Sequence, residues 1–181
     1  MRYLGAGRRG LYEQSGGVLA RPLADAAADA SRSERRGAAL VVNDHWRIAI
    51  DEGADWLHLG QEDLDGADLP AIRNAGLKLG ISTHDHAELD RALSLSPDYI
   101  ALGPIYPTIL KEMKWREQGL DRLREWKRLV GGLPLCAIGG MSVARAPGVL
   151  AAGADIVSVV TDITLNPDPE QRMREWLRVC P

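Results

Sequence analysis

Asn43-Asp44 closes an apolar run, Ala-Leu-Val-Val over 39–42, and Asp63 sits just past the next one, Trp56-Leu57-His58-Leu59-Gly60. Two carboxylates therefore fall at the ends of two consecutive predicted strands. In an α/β protein with parallel strands, side chains at strand C-termini converge on one face. Two acids converging there repel each other unless a cation lies between them. Mg2+ suits that place, because it takes one or two carboxylates and draws its other ligands from water and substrate phosphate. The same residues also suit ordinary turn and N-cap aspartates, so the pair alone leaves both readings open.

The elements that must position these residues recur along the chain from about residue 38. Strand-like runs fall at Ala39–Asn43, Trp56–Gly60, Lys78–Ser82, Tyr99–Gly103, Leu135–Gly139 and Ile156–Val160. They are apolar on both faces rather than alternating, as parallel strands covered by helices require. Amphipathic stretches at Asp68–Ala75, His86–Leu95, Leu120–Val130, Val143–Ala152 and Pro167–Val179 read as helices. Glu52-Gly53-Ala54-Asp55 and Ala152-Gly153-Ala154-Asp155 repeat one helix-stop and strand-start pattern, with Ser96-Pro97-Asp98 a variant. Gly or Pro at such points ends a helix. The expected organisation is one β/α domain over 38–181. Before it lies a segment of different texture, 1–37, with no clear strand and one alanine- and charge-rich helix within 23–37. About six β/α units fit either an open doubly wound sheet or a TIM-type barrel lacking one or two units at its start.

Composition narrows the function. The 181 residues carry a net charge of −3 and are 45% hydrophobic, which suits a soluble domain with no general pull toward nucleic acid or an anionic membrane. No apolar stretch reaches a membrane span, and no apolar core follows the N-terminal arginines as a secretory signal would require. Cys136 and Cys180 are far apart, so no disulfide framework is expected and the chain reads as cytoplasmic. Phe is absent, which leaves Trp, Leu, Val and Ile to fill the core.

Six motifs then occur in order: Val-Val-Asn-Asp (41–44), His-Leu-Gly-Gln-Glu-Asp (58–63), Ser-Thr-His (82–84), Gly-Pro-Ile-Tyr-Pro-Thr (103–108) with Lys111, Ala-Ile-Gly-Gly (137–140), and Val-Val-Thr-Asp-Ile (159–163). Together they make the chain resemble the thiamine phosphate synthases. The resemblance implies a (β/α) barrel that joins a pyrimidine methyl diphosphate to a thiazole phosphate, forming thiamine phosphate and releasing diphosphate. It implies Asp44 and Asp63 as Mg2+ ligands, Asn43 at the pyrimidine, and Ser82 and Lys111 on the diphosphate. It implies Thr108, Ile109, Leu110, Gly140, Val160 and Thr161 around the thiazole phosphate. Thr108 and Thr161 offer hydroxyls. Leu110 stands where the family commonly has a second Thr and can serve only through its backbone. Gly140 lets backbone approach the phosphate, an approach that a side chain would block, and Gly140→Val is expected to weaken thiazole phosphate while sparing the fold. Ser142 could cap the helix that follows. Lys114 and Arg116 share the basic loop of Lys111. His84 and His86 suit capping or surface roles better than metal binding.

No general acid, base or nucleophile is assigned, because a dissociative reaction needs leaving-group stabilisation, orientation and exclusion of water instead. The expected partners are the two small-molecule substrates and, where another subunit completes the barrel, a second copy of the chain. The family's Gln-Leu-Arg-x-Lys motif, whose Arg and Lys hold the diphosphate substrate, is absent. The nearest basic stretch, Arg8-Arg9, lacks the spacing. The chain thus reads as an N-terminally truncated or divergent synthase with impaired activity. The alternatives are a thiazole tautomerase-like isomerase and a non-catalytic phosphate-ligand-binding remnant.

Overall fold

The computed structural model describes residues 11–14, 39–109 and 115–180, the first of these as backbone. Seven parallel strands run side by side in chain order: β1 (Leu11–Gln14), β2 (Ala39–Asn43), β3 (Trp56–Leu59), β4 (Lys78–Thr83), β5 (Tyr99–Leu102), β6 (Leu135–Ile138) and β7 (Ile156–Ser158). Among the described residues the helices are α1 (Trp46–Asp51), α2 (Leu69–Asn74), α3 (His86–Ser94), α4 (Gly119–Val130), α5 (Ala146–Ala151), α6 (Thr161–Thr164) and α7 (Pro169–Val179), with a 3-10 turn at Asp63–Asp65. This is the TIM-type β/α architecture, and the described residues supply seven of its eight strands.

Strand β1 corrects the reading of residues 1–37, which foresaw no strand there. Its four residues pair in parallel with β2, Leu11 beside Ala39 and Gln14 beside Val42. A run this short shows little period of its own; the free edge of β2 defines it. The helix expected within 23–37 lies outside the described residues. The other six strands fall where the apolar runs put them, with β7 ending two residues early.

Strand alternation divides the side chains between two cores. Leu57, Leu59, Leu79, Ile81, Ile100, Leu102, Leu135, Ala137 and Val157 pack outward against Ile72, Leu89, Leu123, Trp126, Val149 and Trp176 of the helices. The Trp126 and Trp176 side chains are fully buried, filling the volume that Phe would otherwise supply. On the barrel's inner side, Tyr99, Ala101 and Cys136 pack with Trp56 and Ile156.

The repeated Gly-Ala-Asp pattern has a physical basis. Gly53 and Gly153 take positive φ of 62° and 106° after their helices, and Ser96 does the same at 52°. Left-handed residues of this kind terminate a helix. The aspartate that follows then ties neighbouring strands: Asp98 accepts from the Leu79 N–H at 2.7 Å and Asp155 from the Leu135 N–H at 2.8 Å. Helices α2, α3 and α7 begin at Asp68, Asp85 and Asp168, whose carboxylates accept from the N–H three residues on. Helix α5 starts later than the expected 143, at Ala146. Its N-cap is Arg145, with no side-chain cap bond, and the Ser142 backbone carbonyl accepts from Arg145 and Ala146. Ser142 therefore shapes the turn through its main chain rather than as a hydroxyl cap.

Candidate active site

The C-terminal ends of the strands form one rim, where active sites of this architecture sit. At the end of β2, Asp44 takes φ 64°, a conformation Asp tolerates better than most residues. Its N–H donates to the His58 carbonyl at 2.9 Å, which clips it to the neighbouring strand. The buried Asn43 amide donates to Asp44 Oδ2 at 2.7 Å. On β3, whose His58 is in register with Asn43, the chain turns at Gly60 and brings Asp63 back over it. A Cβ built on Gly60 would lie 2.9 Å from Asp63 Oδ2. The two half-buried carboxylates thus occupy the same end of adjacent parallel strands. Among the described residues no group of three or more His, Cys, Asp or Glu is placed to hold a metal. A donor set of two carboxylates fits a hard cation that completes its shell with water and phosphate oxygens.

The next stretch of rim rests on a buried side-chain chain inside the barrel. His58, Gly80 and Tyr99 lie in one register row across β3, β4 and β5. Gly80 has no side chain, and the Tyr99 ring occupies the space a Cβ would need. Tyr99 thereby reaches across β4 to His58, with Tyr99 Oη 2.7 Å from His58 Nδ1. The other ring nitrogen, Nε2, lies 2.8 Å from Ser82 Oγ. Burial lowers the His58 pKa from 6.5 to about 4, so the imidazole is neutral at neutral pH. Gln61 donates to the Ser82 carbonyl at 2.7 Å and holds that strand end from above. The motif reading gave His58 and Tyr99 no role. Their signal was a polar His alternating with buried leucines in an otherwise apolar strand.

The rim beyond β5 and β6 is made by backbone. Ile105 N–H donates to the Ile138 carbonyl at 2.9 Å and Tyr106 N–H to the Gly139 carbonyl at 3.2 Å. Gly140 has φ 63°, and a Cβ there would lie 2.8 Å from both Tyr106 Cβ and Tyr106 O, and closer still to Pro107 O. Beside the expected approach of a phosphate, the protein's own 106–107 backbone fills the Cβ direction. The expectation that Gly140→Val spares the fold is overturned on that ground. Arg145 spans the junction, its guanidinium 4.5 Å from the Tyr106 ring centroid and donating to the Gly140 carbonyl. Val160 and Thr161 follow β7, with Thr161 opening the short α6. Loops after the last two strands with a short extra helix recur as a phosphate site in β/α barrels.

Thr108 is half-buried on the loop after β5, whereas Ile109 is 84% exposed. Leu110, Lys111 and Lys114 lie outside the described residues. The described chain resumes at Trp115, which stacks on His84 at 5.7 Å, while Gln118 donates to the His84 carbonyl at 3.1 Å. His84 also pairs with Glu88 at 2.7 Å, and His86 with Glu125 at 2.8 Å on the helix surface. The His86 hydrogen bond lowers the Glu125 pKa. Both histidines thus have structural partners.

The thiamine monophosphate synthase family model matches residues 20–163. The chain is 66% identical to the thiamine-phosphate synthase of Rhizobium etli over 138 residues, covering 76% of this chain and 68% of that one. It is 54% identical to that of Neisseria meningitidis serogroup A over 131 residues, covering 72% and 64%. The matches thus span about two thirds of these relatives' length. Among solved structures, thiamine phosphate pyrophosphorylase from Pyrococcus furiosus superposes with a TM-score of 0.77 at 23% identity, covering 97% of this chain and 84% of that one. For 3-hexulose-6-phosphate synthase from Salmonella typhimurium the TM-score is 0.72 at 16% identity, covering 94% and 85%. At those identities the superpositions speak to the fold, whereas the family follows from the sequence matches. The chain belongs to the thiamine monophosphate synthase family.

Proposed function

We propose that this chain is a thiamine phosphate synthase, a transferase joining 4-amino-2-methyl-5-(diphosphomethyl)pyrimidine to thiazole phosphate with release of diphosphate. The observation that carries the reading is that Asp44, Asp63, Ser82 and the turns at Gly140 and Val160-Thr161 all lie at the same ends of the parallel strands. Asp44 and Asp63 would hold Mg2+, which when bound would neutralise the charge growing on the departing diphosphate. Asn43 offers its amide to the aminopyrimidine edge while its Nδ2 steadies Asp44. Ser82 donates its hydroxyl to the diphosphate, and Lys111 adds a cation from the loop after β5. Thr108 and Thr161 would supply hydroxyls to the thiazole phosphate, the main chain at Ile109, Gly140 and Val160 would line the same subsite, and Leu110 is assigned there by the family resemblance alone. The machinery binds, orients and excludes water, and it asks no side chain to act as acid, base or nucleophile.

One part of the family's diphosphate grip is missing. Counting β7 as the eighth strand of a full barrel, β1 stands where the second would, and Leu11-Tyr12-Glu13-Gln14 carries neither Arg nor Lys. Without those cations, Lys111, Ser82 and the Mg2+ that Asp44 and Asp63 would hold must manage the leaving group. The high-identity relatives favour the synthase over the tautomerase-like isomerase. The test is release of diphosphate from the pyrimidine substrate, with thiazole phosphate present, as Mg2+ is added and then chelated. Metal-dependent release supports the synthase. Thiazole phosphate bound without any release at high enzyme concentration would replace it with the remnant reading.

A further inference from the structure

Beneath the rim, three side chains from three adjacent strands form a continuous hydrogen-bond chain, buried at Tyr99 and His58 and half-buried at Ser82: Tyr99 Oη to His58 Nδ1 at 2.7 Å, and His58 Nε2 to Ser82 Oγ at 2.8 Å. Tyr99 and His58 are buried and their rings stack at 5.5 Å and 21°, so neither ring is free to turn. A neutral imidazole carries one N–H and one bare nitrogen. The chain can therefore run in one of two directions. In the first, Tyr99 O–H donates to Nδ1, Nε2–H donates to Ser82 Oγ, and the Ser82 proton is left to point out of the chain. In the second, Ser82 O–H is spent on Nε2, and its lone pairs face whatever lies at the rim. Only the first presents a donor to an anion; the second sets oxygen lone pairs against it.

We infer that His58 is a positioning residue whose Nε2–H tautomer, set by Tyr99, orients the Ser82 hydroxyl as a donor toward an oxyanion at the rim. This rests on the reading of Ser82 as a diphosphate contact and adds what makes that contact work. An unguided serine hydroxyl rotates and must be reoriented on binding. Here the proton's direction is fixed in advance by two buried groups, His58 and Tyr99, which is preorganisation in its electrostatic sense. Gly80 belongs to the same device, because any side chain at that position would displace the Tyr99 ring.

Two measurements test it. Long-range 1H–15N correlation on 15N-histidine-labelled protein at neutral pH reads which nitrogen of His58 bears the proton. The expected result is Nε2–H with a bare Nδ1, lost or mixed with the other form in Tyr99→Phe. The opposite tautomer overturns the inference. Inorganic diphosphate binding, titrated with Mg2+ present, is then compared between His58→Gln and His58→Asn. The Gln amide reaches the place of Nε2 and can still donate to Ser82, whereas the shorter Asn reaches only the place of Nδ1. His58→Gln should stay within about threefold of the parent while His58→Asn weakens about tenfold, the size of one charge-assisted hydrogen bond. Circular dichroism confirms that both variants are folded. Equal affinities for the two variants overturn the inference. Ser82→Ala separates this claim from the reading beneath it. Unchanged affinity there, or no diphosphate binding by the parent, overturns the diphosphate placement itself. Loss in Ser82→Ala without a Gln–Asn difference overturns only the positioning role.

Discussion

The two halves of the rim are built by different means. From β2 to β4 it is made of polar side chains, each oriented by another side chain or by a single backbone clip: Asn43 on Asp44, His58 on Ser82, Gln61 on the Ser82 carbonyl. From β5 to β7 it is made of main chain pressed against main chain, with Gly139 and Gly140 admitting Pro104, Tyr106 and Pro107. The first half can lose an atom and keep its fold, so its chemistry is separable from its stability. In the second half shape and stability are one property, because the surfaces that would meet a phosphate are the same ones that hold the loops together.

The largest expected effect tests the backbone half. Gly140→Val meets both a positive φ and three close atoms, two of them backbone oxygens that cannot move independently. Combined strain and overlap should destabilise the protein by on the order of 4 kcal/mol, at the severe end for a single substitution. For a chain of this size that is a fall in melting temperature of roughly 10 °C. A Gly140→Val protein that melts with the parent would show that the 106–107 loop yields freely, and the contrast between the halves would be lost.

Asp63→Ala is the matching test on the side-chain half. Removing one of two proposed metal ligands should lower Mg2+-dependent turnover on the order of a hundredfold or more relative to the parent. Thiazole phosphate affinity should be nearly unchanged by titration, since the subsite proposed for it lies on the loops after β5 to β7. The melting temperature should also hold, because the lost carboxylate is half-exposed. Surviving turnover would remove Asp63 from the metal site. A melting temperature that falls as far as for Gly140→Val would deny that chemistry and stability separate here.

How much of this could be read in the residues follows the same division. The six apolar runs announced β2 to β7, because strands buried on both faces need an unbroken hydrophobic stretch. Strand β1 was not legible, since four residues with Glu13 and Gln14 among them become a strand only beside β2. Helix α1 announced only its end, through the Glu52-Gly53-Ala54-Asp55 stop pattern, because Trp46–Asp51 buries Ala49 and shows no apolar stripe. That Asp44 and Asp63 share one rim was legible because each closely follows the end of a parallel strand. Gly140 was legible as a point of close approach, but not the neighbour that approaches it. A glycine in sequence says only that something comes close, and the something here is Pro107. His58 was passed over because its role depends on Gly80 and Tyr99, which only the sheet register brings into line.

His58 also gives the side-chain half a pH signature. Burial depresses its folded pKa to about 4 from the 6.5 that an exposed imidazole shows. The unfolded chain therefore takes up this proton at higher pH than the folded one. Stability from this source is complete above pH 6.5 and is lost as pH falls toward 4, by up to about 3 kcal/mol. Urea unfolding at several pH values should show the parent weakening across that window. His58→Gln, which cannot titrate, should show a shallower slope there. Parallel slopes would mean that His58 is not held neutral.

The smallest expected effect falls where the two building methods touch. Arg145 is exposed and belongs to neither strand end, yet its guanidinium lies on Tyr106 from the loop after β5 and donates to Gly140 from the loop after β6. An exposed cation–π contact and one hydrogen bond are together worth about 1 kcal/mol. Arg145→Ala should therefore lower stability by that amount and raise KM for thiazole phosphate a few-fold, about what 1 kcal/mol allows, with kcat nearly constant. Arg145→Lys decides what kind of contribution this is. A lysine keeps the charge but not the planar face or the fork of donors. If Lys restores KM, Arg145 acts on the phosphate as a charge. If Lys behaves as Ala does, Arg145 acts as a strap between two backbone loops, and the glycine half of the rim owes its shape to a side chain after all.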